Sequence, residues 1–541
     1  MAYKEIHFKT DAREKILKGV NALADAVRIT LGPKSKCVLI QRPWGRPLVC
    51  NDGVTIAKAI DLKDPEENLG AQIIREAAER TGESVGDGTS TSTVLAQAIY
   101  TEGLHNIAAG ASAIDLKSGL DRGLKIAVAE IKKLSHPIIS SIERAQVATL
   151  SAHNDPAIGD LVAKAMEKVG REGIVTVEEA KGTETLLEVV EGLQLDRGYM
   201  SPYFVTDSEK MLADLEEPYI LLSEKRISTM KDLVPLLEDI SKTASSLVII
   251  SDEVDSEALA TLVVNKVRGV LRCAAVKAPG FGEQRKVLLE DLAIVTGGIL
   301  VTEEAGLSLE HIGLKDLGRA SRVLIERDTT TIVGGKGKKE NIESRKEELR
   351  RQIEKTKSEY DRQKMETRLG KLSGGVAVIH VGAPSETELK NKKEALEDAI
   401  SATKAATAEG IVPGGGLSLL RAARALDVEI PKCEGDERTG MAILRKALEA
   451  PTRQIAINSG VDGGVVIEKM MSHKGSFGFD ASKNEYVDLV QAGIVDPTKV
   501  VRVALENAVS IAGILLLTEA TMTEVATESP QPDSSRAVKE I

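Results

Sequence analysis

The sequence contains few aromatic residues and few cysteines. Phe, Trp and Tyr make up only 2% of the 541 residues, so the hydrophobic cores must be built mainly from Ala, Val, Ile and Leu. Few rings are then available to stack on nucleic-acid bases. The four cysteines, Cys37, Cys50, Cys273 and Cys433, lie far apart and form no CxxC pair. We therefore expect reduced, mostly buried thiols, and neither a disulfide framework nor a zinc site.

An excess of basic residues and long apolar segments are also absent. The net charge is −11, from 71 basic and 82 acidic residues, which argues against a broad surface for nucleic acid or anionic membranes. The N-terminal segment has no apolar core of the kind that signal peptides contain. The longest strongly apolar run, Ala508–Leu517, is about half of the roughly 20 residues that span a bilayer and predicts a buried helix. We expect a cytoplasmic protein with no nucleic-acid or membrane partner.

Several catalytic motifs are missing as well. The sequence has no HExxH and no GK[ST] after a glycine-rich loop, so a zinc protease and a Walker A site are not indicated. With 541 residues, of which 42% are apolar and 28% charged, the chain is too long for one hydrophobic core. We therefore expect a folded protein of two or three domains.

The hydrophobic pattern divides the chain into helical, mixed and helical parts. Apolar residues recur at helical spacing over residues 11–30, and proline and acids open another helix at Pro65. Between about 192 and 375, β-branched runs alternate with helical patterns, which is typical of an α/β module inserted into a helical chain. A strand is predicted at Val376–Val381, and the remainder is largely helical to about Thr523.

A very charged segment of the inserted module carries a single apolar stripe. Its members are Ile342, Leu349, Ile353 and Tyr360. This pattern predicts one surface helix docked along a single face, and the charges are explained as its solvated side.

A glycine-rich loop, GDGTST at residues 86–91, precedes a predicted helix. Glycines let backbone N–H groups approach phosphate, a helix N-terminus favours anions, and a carboxylate such as Asp87 can hold Mg²⁺. Taken alone, the loop is at least as well explained as a helix cap in which Asp87 and Thr89 satisfy backbone amides. It therefore indicates a phosphate site without establishing one.

Other candidate segments also have purely structural explanations. Thr30–Pro33 is a helix stop, Asn51-Asp52-Gly53 is a plain turn, and Asp398 is a solvated acid on a helix. Asp496-Pro497-Thr498 is a helix cap followed by proline at the first helical position. The three glycines at 414–416 cost more backbone entropy and indicate that the chain passes very close to another group.

The order of these segments resembles the signatures of group I chaperonins. The resemblance covers about residues 2–525 and is far too extensive to arise by chance. It rests on TLGP at 30–33, NDGVT at 51–55, GDGT at 86–89, AQAI at 96–99, AAVKAPGFG at 274–282, LSGGVAV at 372–378, PGGG at 413–416 and DPTKV at 496–500.

The resemblance implies a multidomain α+β fold. Both chain ends, 1–136 and 410–525, are expected to form a mostly helical equatorial domain. Residues 137–191 and 376–409 are assigned to a small intermediate domain, and 192–375 to an α/β apical domain that binds substrate. Residues 526–541 are expected to form a disordered tail.

The resemblance also implies an ATP site. Asp87 is expected to bind Mg²⁺, with K⁺ as a further candidate ion, and Asp52 and Asp398 to position or activate the attacking water. Because Asp398 is assigned to the intermediate domain, it is expected to reach the nucleotide only after a hinge motion. The residues carried over as ATP ligands are Thr30, Leu31, Gly32, Pro33, Asn51, Asp87, Gly88, Thr89, Ser90, Thr91, Gly415, Asp480, Ala481 and Asp496.

An apolar apical surface is implied as well. It is expected to capture non-native proteins and a small, ring-capping co-chaperonin, in a tetradecamer of two stacked rings. The alternative is that the same residues form ordinary apical core. The residues carried over are Tyr199, Tyr203, Phe204, Val234, Leu237, Leu259, Val263 and Val264.

The sequence departs from the family pattern in four places. Ser90 stands where threonine is usual, Asp480 where asparagine is common, and Trp44-Gly45-Arg46 where Phe-Gly-Ala is typical, while the C-terminus lacks a Gly/Met-rich tail. These departures bear on nucleotide affinity and client range rather than on the fold. An ATP-driven folding machine is the leading hypothesis, and a non-cycling holdase or assembly scaffold is the alternative. A metabolic phosphotransferase lacks a supporting motif.

Overall fold

The computed structural model describes most of the chain. The segment Trp44-Gly45-Arg46 and the expected tail at 526–541 lie outside the described residues. The described ranges are 4–41, 47–152, 154–170, 173–180, 182–208, 210–228, 230–302, 309–356 and 358–524.

Helices dominate both ends of the described chain. They are numbered in chain order: α1 (Lys9–Arg28), α2 (Gly53–Lys58), α3 (Pro65–Val85), α4 (Thr89–Ala108), α5 (Ala113–Leu134), α6 (Ser141–Ser151), α7 (Pro156–Val169), α8 (Val234–Thr243), α9 (Ser256–Val267), α10 (Glu283–Thr296), α11 (Lys339–Lys355), α12 (Glu359–Gly374), α13 (Glu386–Glu409), α14 (Leu417–Glu429), α15 (Gly435–Ala447), α16 (Ala450–Asn458), α17 (Gly463–Ser472) and α18 (Thr498–Leu517).

Strands are concentrated in the middle of the chain. They are β1 (Lys4–Phe8), β2 (Val38–Ile40), β3 (Leu48–Cys50), β4 (Ile174–Glu179), β5 (Leu186–Val190), β6 (Gly192–Leu195), β7 (Ala213–Glu216), β8 (Tyr219–Ser223), β9 (Ser246–Ser251), β10 (Arg272–Lys277), β11 (Leu300–Val301), β12 (Gly318–Ile325), β13 (Thr330–Gly335), β14 (Val376–Val381), β15 (Ile411–Pro413), β16 (Phe477–Asp480), β17 (Glu485–Asp488), β18 (Val495–Pro497) and β19 (Ala520–Glu524).

The chain forms two compact units. Met1–Asp160 and Glu394–Ile541 make the first unit, and Leu161–Lys393 makes the second. The mixed α+β fold class is confirmed, with mainly helical ends and a strand-rich middle. The finer division into equatorial, intermediate and apical domains stays a prediction.

The core of the first unit is a helical layer formed by α1, α3, α4, α5, α14, α15 and α18. The predicted helix over 11–30 is confirmed as α1, and its apolar stripe is buried. Where α1 crosses α3 the backbones touch, since a Cβ on Gly19 would lie 1.7 Å from the carbonyl oxygen of Glu67. Small residues at this crossing therefore allow the two helices to pack closely.

Helix α18 lies in this core. It is the one helix in the described residues that is long and apolar enough to cross a membrane, with 20 residues and a mean hydropathy of 1.9. It packs against α3, α4 and α5, and side chains such as Leu505 and Leu515 are fully buried. The buried helix predicted for Ala508–Leu517 is confirmed.

The first unit also has four small antiparallel sheets among its described residues. They pair β1 with β19, β2 with β3, β15 with β18 and β16 with β17. The first two expose apolar side chains, since Phe8 is 60% and Leu39 72% exposed. The prediction that the chain remains largely helical to Thr523 is wrong at its end, where β19 pairs with β1.

The second unit is built on a larger mixed sheet. Its strand order is β10-β9-β8-β12-β13-β6, with β11 beside β8 and β7 beside β12. Strands β8, β9 and β10 run parallel, and their buried side chains, from Leu247 to Ile250 for example, form a continuous apolar run. A second sheet has the order β4-β14-β5. The predicted α/β module and the strand at Val376–Val381 are confirmed.

The single surface helix predicted over residues 342–360 is wrong. Helix α11 ends at Lys355, and α12 begins after Ser358, whose hydroxyl accepts from the backbone N–H of Asp361 at 3.3 Å. Ile342 and Leu349 are buried, as the stripe predicted. The local capping serine interrupts a pattern that otherwise continues, which is why periodicity alone missed the break.

Candidate functional site

A cavity of about 310 Å³ in the first unit collects every residue predicted for the ATP site and for water activation. Its size is that of a small-molecule site. The sequence did not indicate several further lining residues, since these follow no recognisable motif. Among them are Ser35, Leu150, Ser151, Asn154, Ile455, Phe479, Ser482 and Ile494.

Two helix N-termini lie at the cavity wall. Helix α4 begins after Gly88, with φ 78°, and α14 begins after Gly416, with φ 77°. Neither N-terminus has a side-chain cap. Uncapped N–H groups and the positive end of the helix dipole attract anions. The cap position of α4 is held by Gly88 and not by Asp87 or Thr89.

The glycine run at 414–416 passes close to other protein atoms, as predicted. A Cβ on Gly416 would lie 2.3 Å from the Oγ1 of Thr452. Gly415, with φ 63°, lines the cavity beside it. The run lets the backbone turn into α14 at the edge of the cavity.

Asp52 is not part of a plain turn. Its carboxylate accepts from the backbone N–H groups of Val54 at 3.3 Å and Thr55 at 2.7 Å, and so caps α2. The turn prediction is wrong because the short helix that follows Asp52 has too few residues to show a period. A carboxylate has about four acceptor positions, so Asp52 can still accept from a group inside the cavity.

Asp87 is held from two sides. Its Oδ1 accepts from the backbone N–H of Gly88 at 2.5 Å, and its Oδ2 accepts from the Oγ of Ser151 at 2.7 Å. Ser151 is the last residue of α6. These bonds fix the rotation of the carboxylate, as ligands of metals commonly require.

Asp398 lies on α13 and lines the same cavity. Burial raises its pKa well above the usual range, and the negative charges of Asp87 and Asp52 raise it further. In this structure Asp398 already lies among the other aspartates; that a hinge motion brings it to the nucleotide stays a prediction. The explanation of Asp398 as a solvated acid is wrong.

Asp496 lies in β18, opposite Val412 of β15. Burial raises its pKa to about 7, with a further contribution from the charge of Asp87. The sequence predicted a cap at Asp496 and proline at the first helical position. That is wrong by one residue, because Pro497 itself is the cap and α18 begins at Thr498.

The described lining of the cavity is strongly acidic. It contains Asp52, Asp87, Asp398, Asp480 and Asp496 and no lysine or arginine. Asp480 is buried, and its Oδ1 accepts from Ser482 and from the backbone N–H of Lys483. An anionic ligand in this cavity would need cations to offset the carboxylates.

The other end of the lining is less polar. Phe479 and Ala481 belong to a small apolar cluster with α14, α16 and α17, and Ile455 packs against it. At Ser90, the hydroxyl that replaces a threonine hydroxyl still shares a hydrogen bond of 2.9 Å with Thr30. The cavity thus joins a region of helix N-termini and carboxylates to an apolar region.

Comparisons of the sequence with known proteins identify its family. A sequence model of the TCP-1/cpn60 chaperonin family matches residues 23–525. A relative named Chaperonin GroEL 5, from Bradyrhizobium diazoefficiens, is 61% identical over 536 residues, which cover 99% of this chain and 98% of the relative. The chain belongs to the TCP-1/cpn60 chaperonin family. It is a group I chaperonin, as the motif order indicated, and its role as a chaperone in protein folding follows from this membership.

The chaperonin's predicted client-binding residues lie in the second unit with very different exposure. Tyr203 is 68% exposed, and Val234 and Val264 are each 44% exposed. Tyr199, Leu237, Leu259 and Val263 are partly buried and pack against the core. Phe204 is fully buried, so its assignment to an exposed surface is wrong.

Two hydrogen bonds connect two of the predicted client-binding segments. The ammonium group of Lys266, on α9, donates to the carbonyl oxygens of Tyr203 at 2.8 Å and Val205 at 2.7 Å. These bonds hold the turn Pro202–Phe204 against the helix that carries Val264. Val267, which the sequence prediction did not include, is 67% exposed. It lies three residues beyond Val264 on the same helix, a spacing that places both side chains on one face.

Proposed function

We propose that the chaperonin binds ATP with Mg²⁺ in this cavity, hydrolyses it, and uses the cycle to fold non-native proteins. The observation that carries the proposal is the convergence of Asp52, Asp87 and Asp398 on one cavity that also receives two uncapped helix N-termini. Phosphoryl transfer needs an aligned nucleophile and compensated charge more than covalent help from the protein. The aspartates can align the nucleophile, and the helix N-termini, together with a cation held by Asp87, would compensate the charge.

The N-termini of α4 and α14 suit phosphate binding. The uncapped N–H groups after Gly88 and Gly416 can donate to phosphate oxygens. The hydroxyls of Thr89, Ser90 and Thr91 lie at the same wall and add further donors. Asp480, Ala481 and the apolar residues near them are left for the base and sugar.

The acidic lining fits a nucleotide that arrives with metal. No group of three His, Cys, Asp or Glu among the described residues is arranged to hold a metal unaided. Mg²⁺ typically uses one or two carboxylates together with substrate phosphates and water. Asp87, oriented by Ser151, would hold it, and the ion would neutralise negative charge on the phosphate oxygens. K⁺ is proposed as a further counter-ion.

Asp398 and Asp52 are proposed to act on the attacking water. The raised pKa of Asp398 makes its carboxylate a better proton acceptor near neutral pH than an ordinary aspartate. The carboxylate of Asp52 is held in place by backbone amides of α2. A fixed carboxylate suits the role of orienting the attacking water.

Assembly into rings is supported by the small sheets of the first unit. Two-stranded sheets are marginal on their own, and free strand edges pair readily with other chains. Here β1–β19 and β2–β3 expose Phe8 and Leu39. We propose that they contact further copies in a tetradecamer of two stacked rings. The thiols of Cys37, Cys273 and Cys433, which form no disulfide among the described residues, support a reducing, cytoplasmic location.

The exposed apolar residues of the second unit are proposed to bind clients and a small, ring-capping co-chaperonin. Tyr203, Val264 and Val267 are exposed, and Lys266 of the helix that carries the two valines donates to the carbonyl oxygen of Tyr203. Exposed apolar surface of this kind marks an interaction site. A non-cycling holdase would use the same surface but would not need three aspartates around a nucleotide.

Steady-state ATP hydrolysis tests the proposal. Asp398→Ala should lower turnover by about 100-fold or more, since general bases contribute that much, while ATP affinity is retained. Asp121→Ala, which removes an exposed acid from α5, is the matched control and should behave as the wild type. If the wild type binds ATP without turnover, the chain is a holdase. If it does not bind ATP at all, the site itself is wrong.

A further inference from the structure

Arg421 is a buried cation whose partners among the described residues are backbone carbonyl groups. Its side chain lies on α14 and is 8% exposed. The Nη1 atom donates to the carbonyl oxygen of Met470 at 2.9 Å, Nε to that of Gly475 at 3.1 Å, and Nη2 to that of Phe477 at 3.2 Å. One guanidinium thus fixes the end of α17, the following turn and the start of β16.

The burial of the Arg421 charge costs free energy of folding. No carboxylate forms an ion pair with Arg421 among the described residues, and burial together with the charge of Arg424 lowers its pKa to about 10. Burying a charge without a partner of opposite sign is unfavourable, so the carbonyl bonds must offset it. Lysine could not replace this geometry, because only guanidinium presents donors in a fixed planar fork.

The two segments that Arg421 joins are two walls of the cavity. Helix α14 starts directly after the glycine run at 414–416, and Arg421 lies about one turn into it. Strand β16 ends at Asp480, which is followed by Ala481, and both line the cavity. The side chain of Arg421 does not line the cavity itself, so it can act on a ligand only through these walls.

We propose that Arg421 is a positioning residue that sets the separation of the glycine wall from the Asp480–Ala481 wall, and thereby the affinity and base selectivity of the nucleotide site. The inference rests on the proposed function, because it assumes that the cavity holds a nucleotide. Asp52, Asp87 and Asp398 lie on other elements, namely the cap of α2, the loop before α4 and α13. Arg421 should therefore affect nucleotide binding without affecting the hydrolysis step.

The test compares Arg421→Lys with the wild type in the full chain with Mg²⁺. The variant keeps the positive charge but loses the fork. Affinity for ATP and for ADP should fall together by about tenfold, the loss expected for hydrogen bonds to a charged group. The ratio of ATP to GTP affinity should shrink, and kcat at saturating ATP should not change. Arg445→Lys, in an ion-paired arginine of α15, is the control and should change none of these values.

The outcomes separate this inference from the proposed function. A merely structural Arg421 would lower the melting temperature and leave KM and the ATP-to-GTP ratio unchanged, which would overturn the inference while the ATP site stands. A fall in kcat at unchanged KM would overturn it as well. If Arg421→Lys does not fold, Arg421→Gln is measured by the same criteria. Absence of nucleotide binding by the wild type would overturn the proposed function and this inference together.

Discussion

At the scale of single residues, the cavity concentrates negative charge that folding must accommodate. Asp496 shows the effect most clearly, because burial and the charge of Asp87 raise its pKa to about 7, against about 3.9 in an unfolded chain. The folded state therefore binds the proton more tightly than the unfolded state. Stability from this group is present at low pH and is lost as pH rises through about 7.

Asp496→Asn should remove this loss. In the absence of nucleotide and Mg²⁺, the variant should melt at a higher temperature than the wild type near pH 8, with the difference shrinking toward pH 5, since each unit of pKa shift corresponds to about 1.4 kcal/mol. Thermal unfolding followed by circular dichroism across this range checks it. Asp121→Asn is the control. Parallel wild-type and Asp496→Asn curves would show that Asp496 does not titrate as proposed.

The roles of single residues could be predicted only for residues that belong to a recognisable motif. Each candidate aspartate also had a structural explanation, as a cap, a turn or a solvated helix acid, and only the order of motifs along the chain indicated that they share one site. The role of Ser151 could not be predicted, because a serine at the end of a helix has no sequence signature and its contact with Asp87 is visible only in the structure. Asp52 shows that a structural and a functional explanation can both hold, since it caps α2 and still faces the cavity.

At the scale of elements, periodicity predicted the long helices well and the short or interrupted ones poorly. Helix α1 repeats its buried residues along its whole length, so its pattern is unmistakable. Helix α2 has six residues, and the break between α11 and α12 depends on one capping serine. Neighbouring residues of the same type can also differ in burial. In the turn Pro202–Phe204, Tyr203 is exposed and Phe204 is buried.

The same substitution should affect client binding at one aromatic residue of that turn and stability at the adjacent one. Tyr203→Ser should weaken capture of a denatured client with little change in melting temperature, because its ring is 68% exposed. Phe204→Ser should destabilise the second unit by about 3 kcal/mol or more, because it leaves a cavity in the core. Client binding by light scattering and thermal unfolding distinguish them. Equal effects of both variants on client binding would contradict the assigned surface.

At the scale of the whole molecule, the succession of helical, mixed and helical segments was readable from the hydrophobic pattern. The predicted start of the mixed segment near 192 lies too late in the chain, because strands begin with β4 at Ile174, whereas the return to helix after β14 is as predicted. The pairing of β1 with β19 was not readable in this way, because both strands are short and lie near opposite ends of the sequence. The proposed ring assembly could not be read from the sequence pattern either, because it involves several chains; the exposed side chains of Phe8 and Leu39 are the observation in one chain that supports it.

The central claim is that ATP hydrolysis drives folding of a client. The most direct measurement is the yield of active enzyme from a chemically denatured client, with and without ATP, for the wild type and Asp398→Ala in the presence of a ring-capping co-chaperonin. ATP should raise the yield with the wild type well above the spontaneous level, and much less with Asp398→Ala. If the wild type holds the client and binds ATP, yet gives the same yield with and without ATP, the chaperonin is a holdase and hydrolysis does not drive folding.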